Sequence, residues 1–231
     1  LDVFYGTDYH SHLGTRRGGM TSYSAELGFQ RNIHSIENSP FRTKFEKDVE
    51  KMRGNICIGC ISDTDPQPIM VRSKLGLYAV CSIGIIQNAK ALSEELLENG
   101  CANFETMSSG NINSGGLIGA LIAQKPTFVE GIRYAQSKIE GTMSLVIMTE
   151  DSIICARDKA GKLPILIGKR SDGYCFSFES FAYQKLGYET CHELKAGEIT
   201  KLTKDGYEVL YEGTDEMKIC TFLWTYYGYP T

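Results

Sequence analysis

The sequence predicts an α+β fold, a four-layer α-β-β-α sandwich built as a single domain. Short apolar runs rich in β-branched residues recur along the chain, as strands do. Several, such as Leu145-Val146-Ile147-Met148, are apolar at successive positions, the pattern of a strand covered on both faces. Two helical stretches separated by Pro126 stand between two groups of these runs. Sheets covered on both faces must lie against each other and carry helices outside.

The elements follow in order. The first strand is expected at Phe29–His34, and a helix at Thr43–Met52 with Phe45, Val49 and Met52 on one face. Strands come next at Asn55–Ile61, Ile69–Val71 and Tyr78–Ile86. Asn88 reads as the N-cap of a helix over Ala89–Glu98, whose Leu92, Leu96 and Leu97 point inward. The helix at Asn113–Gln124 presents Leu117, Leu121 and Ile122, and Pro126 stops it. Thr127 opens another, with Phe128, Ile132, Ala135 and Ile139 inward. The second group of strands is Met143–Met148, Ile153–Ala156, Leu163–Gly168, Tyr174–Phe178, Glu198–Lys201 and Tyr207–Tyr211, with a short helix at Ser180–Leu186.

The chain has 231 residues, 42% hydrophobic and 23% charged, which excludes disordered and collagen-like classes. Its 24 basic residues stand against 28 acidic ones, so no electrostatic footprint for nucleic acid is present. No run reaches the roughly 18 apolar residues of a membrane span. Leu1-Asp2-Val3-Phe4, followed by polar residues, does not read as a secretory leader. Of 8 cysteines, Cys57, Cys60, Cys81, Cys155, Cys175 and Cys220 sit in apolar runs, as small core residues do. A reduced, cytoplasmic protein is expected, rather than a secreted one built on disulfides.

Four constellations could carry chemistry. Cys57-Ile58-Gly59-Cys60 is a C-x-x-C without the second pair that zinc needs. It lies in a strand, where positions three apart face opposite ways, and reads as core. His10 and His12 precede Leu13-Gly14-Thr15-Arg16-Arg17-Gly18-Gly19-Met20, either a loop that holds an anion on exposed N–H groups or a solvated loop after a helix. The histidines read as surface residues, since a metal would need a third group. Arg157-Asp158-Lys159-Ala160-Gly161 reads as a charged hairpin turn between two strands. Glu179 opens a helix, where a carboxylate meets the positive end.

Several of these segments, in this order, resemble the glutaminase domain of the amidophosphoribosyltransferase family, among the class II (N-terminal-nucleophile, Ntn) glutamine amidotransferases. They are Leu13–Gly18 (family L-x-H-R-G), Glu140–Leu145, Ala156–Gly168, Ser177-Phe178-Glu179-Ser180, Leu186-Gly187-Tyr188 and Ala196-Gly197-Glu198-Ile199. The chain closes on Cys220-Thr221-Phe222-Leu223-Trp224-Thr225-Tyr226-Tyr227-Gly228-Tyr229-Pro230, similar to the family's C-x-F-E-x-x-Y-F-A-R-P. The resemblance covers nearly the whole chain. It implies one glutaminase-type domain over residues 1–231, with 218–231 as the junction to a phosphoribosyltransferase domain absent from this sequence. It also implies the Ntn-hydrolase sandwich.

In the family, an N-terminal cysteine attacks the glutamine side-chain amide with its own α-amine as base. The ammonia then displaces pyrophosphate from phosphoribosyl pyrophosphate, a step of purine biosynthesis. Leu1-Asp2 matches the helix after the nucleophile strand, so either that strand lies upstream or the nucleophile is absent. The family's G-H-x-R-[YF] stands here as Gly59-Cys60-Ile61-Ser62-Asp63. Ser62 thus replaces the arginine that clamps the glutamine carboxylate, and a hydroxyl cannot make that bidentate pair. Asp63 beside it would repel the carboxylate. The oxyanion pair N-G stands as Ile83-Gly84, leaving only the Gly84 N–H; losing one such donor costs about 10²–10³ in rate. The S-D-[ST]-E segment, whose Asp holds the substrate amine, stands as Asn113-Ser114-Gly115-Gly116 without a carboxylate. Arg17 and Gly18 survive.

The resemblance therefore implies a degenerate glutaminase domain, with glutamine or another small metabolite in the pocket and a homo-oligomeric assembly. Magnesium would belong to the absent second domain. In some members Cys220 would match an iron-sulfur ligand; this chain alone is expected to hold no cofactor, because a cluster needs several thiolates. The competing reading is a non-catalytic ligand-binding or oligomerisation domain that keeps the fold. A cysteine-based redox or metal module is a third.

Overall fold

The computed structural model of the chain describes residues 1–100 and 110–218, with 221 and 225 beyond them. The helices are α1 (Asp2–Tyr9), α2 (Phe41–Val49), α3 (Ala89–Glu98), α4 (Ser114–Ile122), α5 (Phe128–Lys138) and α6 (Ser180–Gln184). The strands are β1 (Arg17–Ser24), β2 (Gly28–Ser35), β3 (Ile56–Ser62), β4 (Ile69–Ser73), β5 (Gly76–Ile83), β6 (Ser144–Met148), β7 (Ile153–Ala156), β8 (Leu166–Arg170), β9 (Gly173–Ser177), β10 (Glu189–Glu193), β11 (Ile199–Leu202) and β12 (Tyr207–Tyr211). They form a six-stranded sheet, β12-β11-β7-β6-β5-β4, and two three-stranded sheets, β2-β1-β3 and β10-β8-β9. Neighbouring strands pair antiparallel throughout.

The continuous apolar strands explain the layering. On β6, Leu145 and Ile147 enter a core shared with Leu117, Leu121 and Ile132 of α4 and α5. The alternate residues, Val146 and Met148, enter a second core with Ile58 of β3 and Ile167 of β8. β5 divides likewise, Tyr78 and Val80 to the helices and Ala79 to the facing sheets. A third core, Phe4, Met20, Phe41 and Phe45, joins α1 and α2 to the outer face of β1. Each fully buried Leu, Ile or Phe contributes about 1.5–3 kcal/mol relative to exposure. The order helix, sheet, sheet, helix is the expected four-layer sandwich.

Two strands were hidden in the sequence. β1 contains the glycine-rich Arg17-Gly18-Gly19 and is a central strand, not a solvated loop. Its glycines admit close cover: a Cβ on Gly18 would lie 2.5 Å from the Phe41 ring, and one on Gly19 1.7 Å from the Gln67 carbonyl oxygen. β10 is polar and mostly exposed, so it carries no apolar signal. β5 ends at Ile83 rather than Ile86, because Gly84 turns the chain at φ 145°. Asn113 and Thr127 cap their helices, accepting from Gly116 N and Glu130 N at 3.2 Å each. Asn88 precedes α3 but bridges instead to Lys138 O and Glu140 N, and Leu97 faces outward.

The segment after β7 is not a hairpin. β7 and β8 belong to different sheets, so the chain crosses between layers there. Arg157 and Asp158 are both buried on that crossing. The Arg157 guanidinium donates to the carbonyls of Leu194 and Gly161 and to Glu193. The Asp158 carboxylate accepts from the N–H groups of Met143, Ala160 and Lys162. Charge at this depth is tolerated because it is extensively hydrogen-bonded, with the Arg157 Nε the one atom of the two groups left without a partner.

Candidate functional site

A cleft of about 1140 Å³ is bounded by β3 and β9, with α1 along one side. Each of these strands is the edge of its own three-stranded sheet. The cleft reaches the C-terminal end of β3, the end of β5 and the start of α4, where most of the expected site residues converge. Ser62, Asp63, Ile83, Gly84 and Ser114 all line it. β1 lies against β3 with Arg17 opposite Ser62, but neither Arg17 nor Gly18 forms part of the wall. The Arg17 guanidinium donates to Thr64 O at 2.9 Å, and Gly18 faces Phe41 and Phe45.

The Asp63 carboxylate is engaged. Its Oδ1 accepts from Thr15 N at 2.6 Å and Arg16 N at 2.9 Å, tying down the loop that enters β1. Gly14 packs on the same carboxylate, where a Cβ would meet Oδ1 at 3.1 Å. Asp63 is thus an anchor for the loop as well as part of the cleft wall. The Ser62 hydroxyl accepts from Thr64 N at 3.4 Å. Ile83 is 40% exposed, an apolar side chain at the cleft. Gly84 admits no side chain, since a Cβ would lie 2.1 Å from Thr142 O.

A carboxylate does reach the start of α4, from a segment that sequence comparison passed over. Asp65, only 6% exposed, lines the cleft, and its Oδ2 accepts from Ser114 N at 3.0 Å. It makes no ion pair among the described residues. The helix N-terminus stabilises its charge. Next along, Gln67 is buried and clamps the backbone of Ser82 through both N–H and C=O. The flanking Pro66 and Pro68 are the only local signal that this segment is fixed.

A second group stands where β9 ends beside the end of α1. His10 is largely buried, and its Nδ1 meets Gly6 O at 2.7 Å, so Nδ1 carries the proton. Nε2 then accepts from the Ser177 hydroxyl at 2.9 Å. Burial pulls the His10 pKa below its ordinary value, partly offset by the Gly6 carbonyl and the Glu179 charge. Glu179 Oε2 lies 3.2 Å from His12 Nε2 and 4.0 Å from His10 Nε2, and it accepts no hydrogen bond. Glu179 therefore sits at the head of α6 without capping it, facing the two histidines. The expectation of plain surface histidines holds for neither in full: His10 is a packed residue, and His12 is half exposed against a buried carboxylate.

Among the described residues, no group of three or more His, Cys, Asp or Glu side chains is placed to hold a metal ion. Cys220 lies outside the described residues, as does most of the 218–231 junction. No described helix is long and apolar enough to cross a membrane.

Residues 52–184 match the family described as "Glutamine amidotransferase domain". The amidophosphoribosyltransferase of Archaeoglobus fulgidus is 25% identical across 99% of this chain and 50% of its own length. That of Rattus norvegicus is 28% identical across 71% of this chain and 36% of its own. The chain thus spans about half the length, or less, of these curated relatives. The solved glutamine phosphoribosylpyrophosphate amidotransferase from B. subtilis, complexed with ADP and GMP, superposes with a TM-score of 0.84. It is 23% identical and covers 99% of this chain and 50% of that one. A glutamine aminotransferase class-II domain protein from Silicibacter pomeroyi gives 0.58 at 12% identity, covering 86% of this chain and 91% of its own. These structures share the Ntn-hydrolase-like sandwich. With more than half its length matched, the chain belongs to the glutamine amidotransferase domain family, as a class II-like domain related to the amidophosphoribosyltransferases.

Proposed function

We propose that the chain is the glutaminase-type domain of an amidophosphoribosyltransferase-like protein of purine biosynthesis, and that it does not hydrolyse glutamine. Residues 1–231 act as one such domain, with 218–231 leading to a phosphoribosyltransferase domain that carries the magnesium. Assembly is homo-oligomeric and cytoplasmic. The fold would position ammonia-releasing chemistry at the end of β3 and β5. One observation carries the loss of that chemistry: Ser62 and Ile83 line the cleft where an arginine and an amide donor would be needed.

The chemistry follows from those side chains. A hydroxyl at Ser62 supplies no charge to a glutamine carboxylate, and charged hydrogen bonds are worth about 1.5–3 kcal/mol each. The Ile83 side chain offers no N–H to a developing oxyanion, which leaves the Gly84 N–H alone and costs about 10²–10³ in rate. Asp63 and Asp65 add negative charge at the same end, while Arg17 is occupied by Thr64 O. This end of the cleft favours a small metabolite bearing an amine, held by Asp65 beside Ser114 N, and disfavours one bearing a carboxylate. The domain would then serve ligand binding or oligomer formation. A nucleophile-bearing strand ahead of α1 would have its place between the β3 and β9 edges.

The test is calorimetric titration of L-glutamine into the folded chain, with an ammonia-release assay on the natural-length protein. No heat and no ammonia is the expected result. Saturable binding with ammonia release would overturn the reading of Ser62, Ile83 and Ser114.

A further inference from the structure

A hydroxyl and an imidazole of the cleft wall are joined where β9 ends beside the end of α1. Ser177 is the last residue of β9, and His10 directly follows α1; both line the cleft. The Ser177 Oγ donates to His10 Nε2 at 2.9 Å, and His10 Nδ1 donates to Gly6 O at 2.7 Å. The second bond fixes the tautomer, so the ring's free lone pair points at the hydroxyl. The ring packs on Phe181 with centroids 5.6 Å apart. The buried Glu179 carboxylate, whose Oε2 accepts no hydrogen bond, lies 4.0 Å from the same ring nitrogen. His34 and His192 differ: each meets a carboxylate directly, Asp48 and Glu198.

We infer that Ser177 and His10 form a nucleophile–base pair that hydrolyses small uncharged esters bound in the cleft. A hydroxyl hydrogen-bonded to a base that a third group orients is the arrangement acyl transfer needs, and here the third group is the Gly6 carbonyl. Ser177 Oγ attacks the carbonyl carbon of an ester RCO–OR′ while its proton passes to His10 Nε2. The C–OR′ bond breaks, and the same proton leaves on R′OH. Water then attacks the acyl carbon and gives a proton to His10. The bond to Oγ breaks, the acid RCOOH departs, and His10 returns the proton to Ser177. One water is consumed and nothing is oxidised or reduced. The Glu179 charge faces the imidazolium that forms in each half. Burial holds the His10 pKa below its ordinary value, so the ring is a neutral base at neutral pH. β9 is an edge strand, and such an edge presents unpaired N–H groups that can meet a developing oxyanion.

The class of ester follows from the surroundings. Leu13, Phe176, Phe178 and Leu186 also line the cleft and offer an acyl group apolar cover. The unpaired Glu179 oxygen disfavours an acyl group that carries its own carboxylate. The reaction uses none of Ser62, Asp63, Ile83, Gly84 or Ser114. It therefore does not depend on the proposed loss of glutaminase activity, and glutamine titration and ester hydrolysis test the two separately.

The experiment follows hydrolysis of 4-nitrophenyl acetate by the folded chain. In parallel, a fluorophosphonate is added and the labelled peptide is mapped by mass spectrometry; Oγ bonds to phosphorus and fluoride leaves with the proton. Release of 4-nitrophenol above the buffer rate, saturating with ester, and a label on Ser177 are the expected results. Ser177→Ala should return the rate to that of buffer. His10→Ala should lower kcat by about 10²–10⁴-fold, and added imidazole should restore part of it. In the wild-type chain kcat/KM should rise with pH through one ionisation centred below 6.5, that of His10, which faces Glu179 and His12. Glu179→Gln should move that centre lower, because the Glu179 charge holds the His10 pKa up. A rate no higher than that of buffer would overturn the inference. So would an unchanged rate in Ser177→Ala, or acetyl and phosphonyl groups found on lysines or thiols with Ser177 bare. The labelling is made on the wild-type chain, so it stands even where a variant folds poorly.

Discussion

Replacing Asp63 separates two roles for this carboxylate. If it anchors the loop before β1, Asp63→Ala removes the acceptor of the Thr15 and Arg16 N–H groups. Each such bond contributes about 0.5–1.5 kcal/mol net. Both donors lie on exposed residues where water competes, so the low end applies and the pair is worth about 1–2 kcal/mol. For a domain of this size 1 kcal/mol moves the thermal midpoint by about 2–4 °C, so the variant should melt about 2–8 °C lower. Asp63→Asn keeps one acceptor oxygen and should lose less. Scanning calorimetry on the three proteins reads the effect, and glutamine titration into Asp63→Asn reads the other role. An unchanged midpoint for Asp63→Ala would refute the anchoring argument. Glutamine binding gained by Asp63→Asn alone would show that the Asp63 charge, rather than a serine at position 62, is what keeps the amino acid out.

Three further outcomes are expected. Arg157→Met should cost about 3 kcal/mol in urea denaturation, because it strands the Leu194 and Gly161 carbonyls inside the fold; a cost under 1 kcal/mol would contradict this. Gly84→Ala forces a side chain into Thr142 O at a φ of 145° and should lower the urea midpoint by the equivalent of about 1–3 kcal/mol, an effect that Ser62→Ala should not share. His10 has a folded pKa below the ordinary 6.5, so the unfolded chain binds more protons in that window. The stability linked to it is complete above pH 6.5 and is lost as pH falls toward the folded pKa, with Glu179 and His12 facing the ring. Thermal midpoints taken from pH 7.5 down to 5 should fall, and His10→Gln should flatten the profile.

The layers were legible because burial on two faces leaves its mark on consecutive residues. Val146 and Ile147 point into different cores, and no alternation of polar and apolar residues intervenes. β1 was illegible for the opposite reason. Its glycines are there to let Phe41 and the Gln67 backbone come close, and a residue without a side chain carries no hydrophobic pattern. β10 is polar and exposed, so nothing distinguishes it from a loop. Resemblance to family segments singled out Ser62, Ile83 and Ser114, and the fold brings all three to one cleft wall. Asp65 was not singled out, because its partner Ser114 is 49 residues away and only the fold joins them. The His10–Ser177 contact spans 167 residues and was beyond local reading for the same reason.

The proposed loss of glutamine binding is compatible with an intact sandwich because the cleft residues and the cores are different residues. None of the three cores includes Ser62, Asp63, Ile83 or Ser114. Ile83 even leaves 40% of its surface to water, so its identity contributes little to packing. Substitution at Ser62, Ile83 or Ser114 therefore costs little folding free energy, whereas Asp63 carries the loop before β1 and the strand residues behind them are held by burial worth kilocalories each. The residues around the cleft that the fold does constrain are of another kind. Gly84 is held by steric exclusion, Gln67 by two backbone bonds, and Asp65 by the N-terminus of α4. A pocket built on such fixed backbone keeps its shape while the side chains pointing into it change. On the proposed reading, what changes is the charge it presents: this end of the cleft carries two carboxylates and an isoleucine.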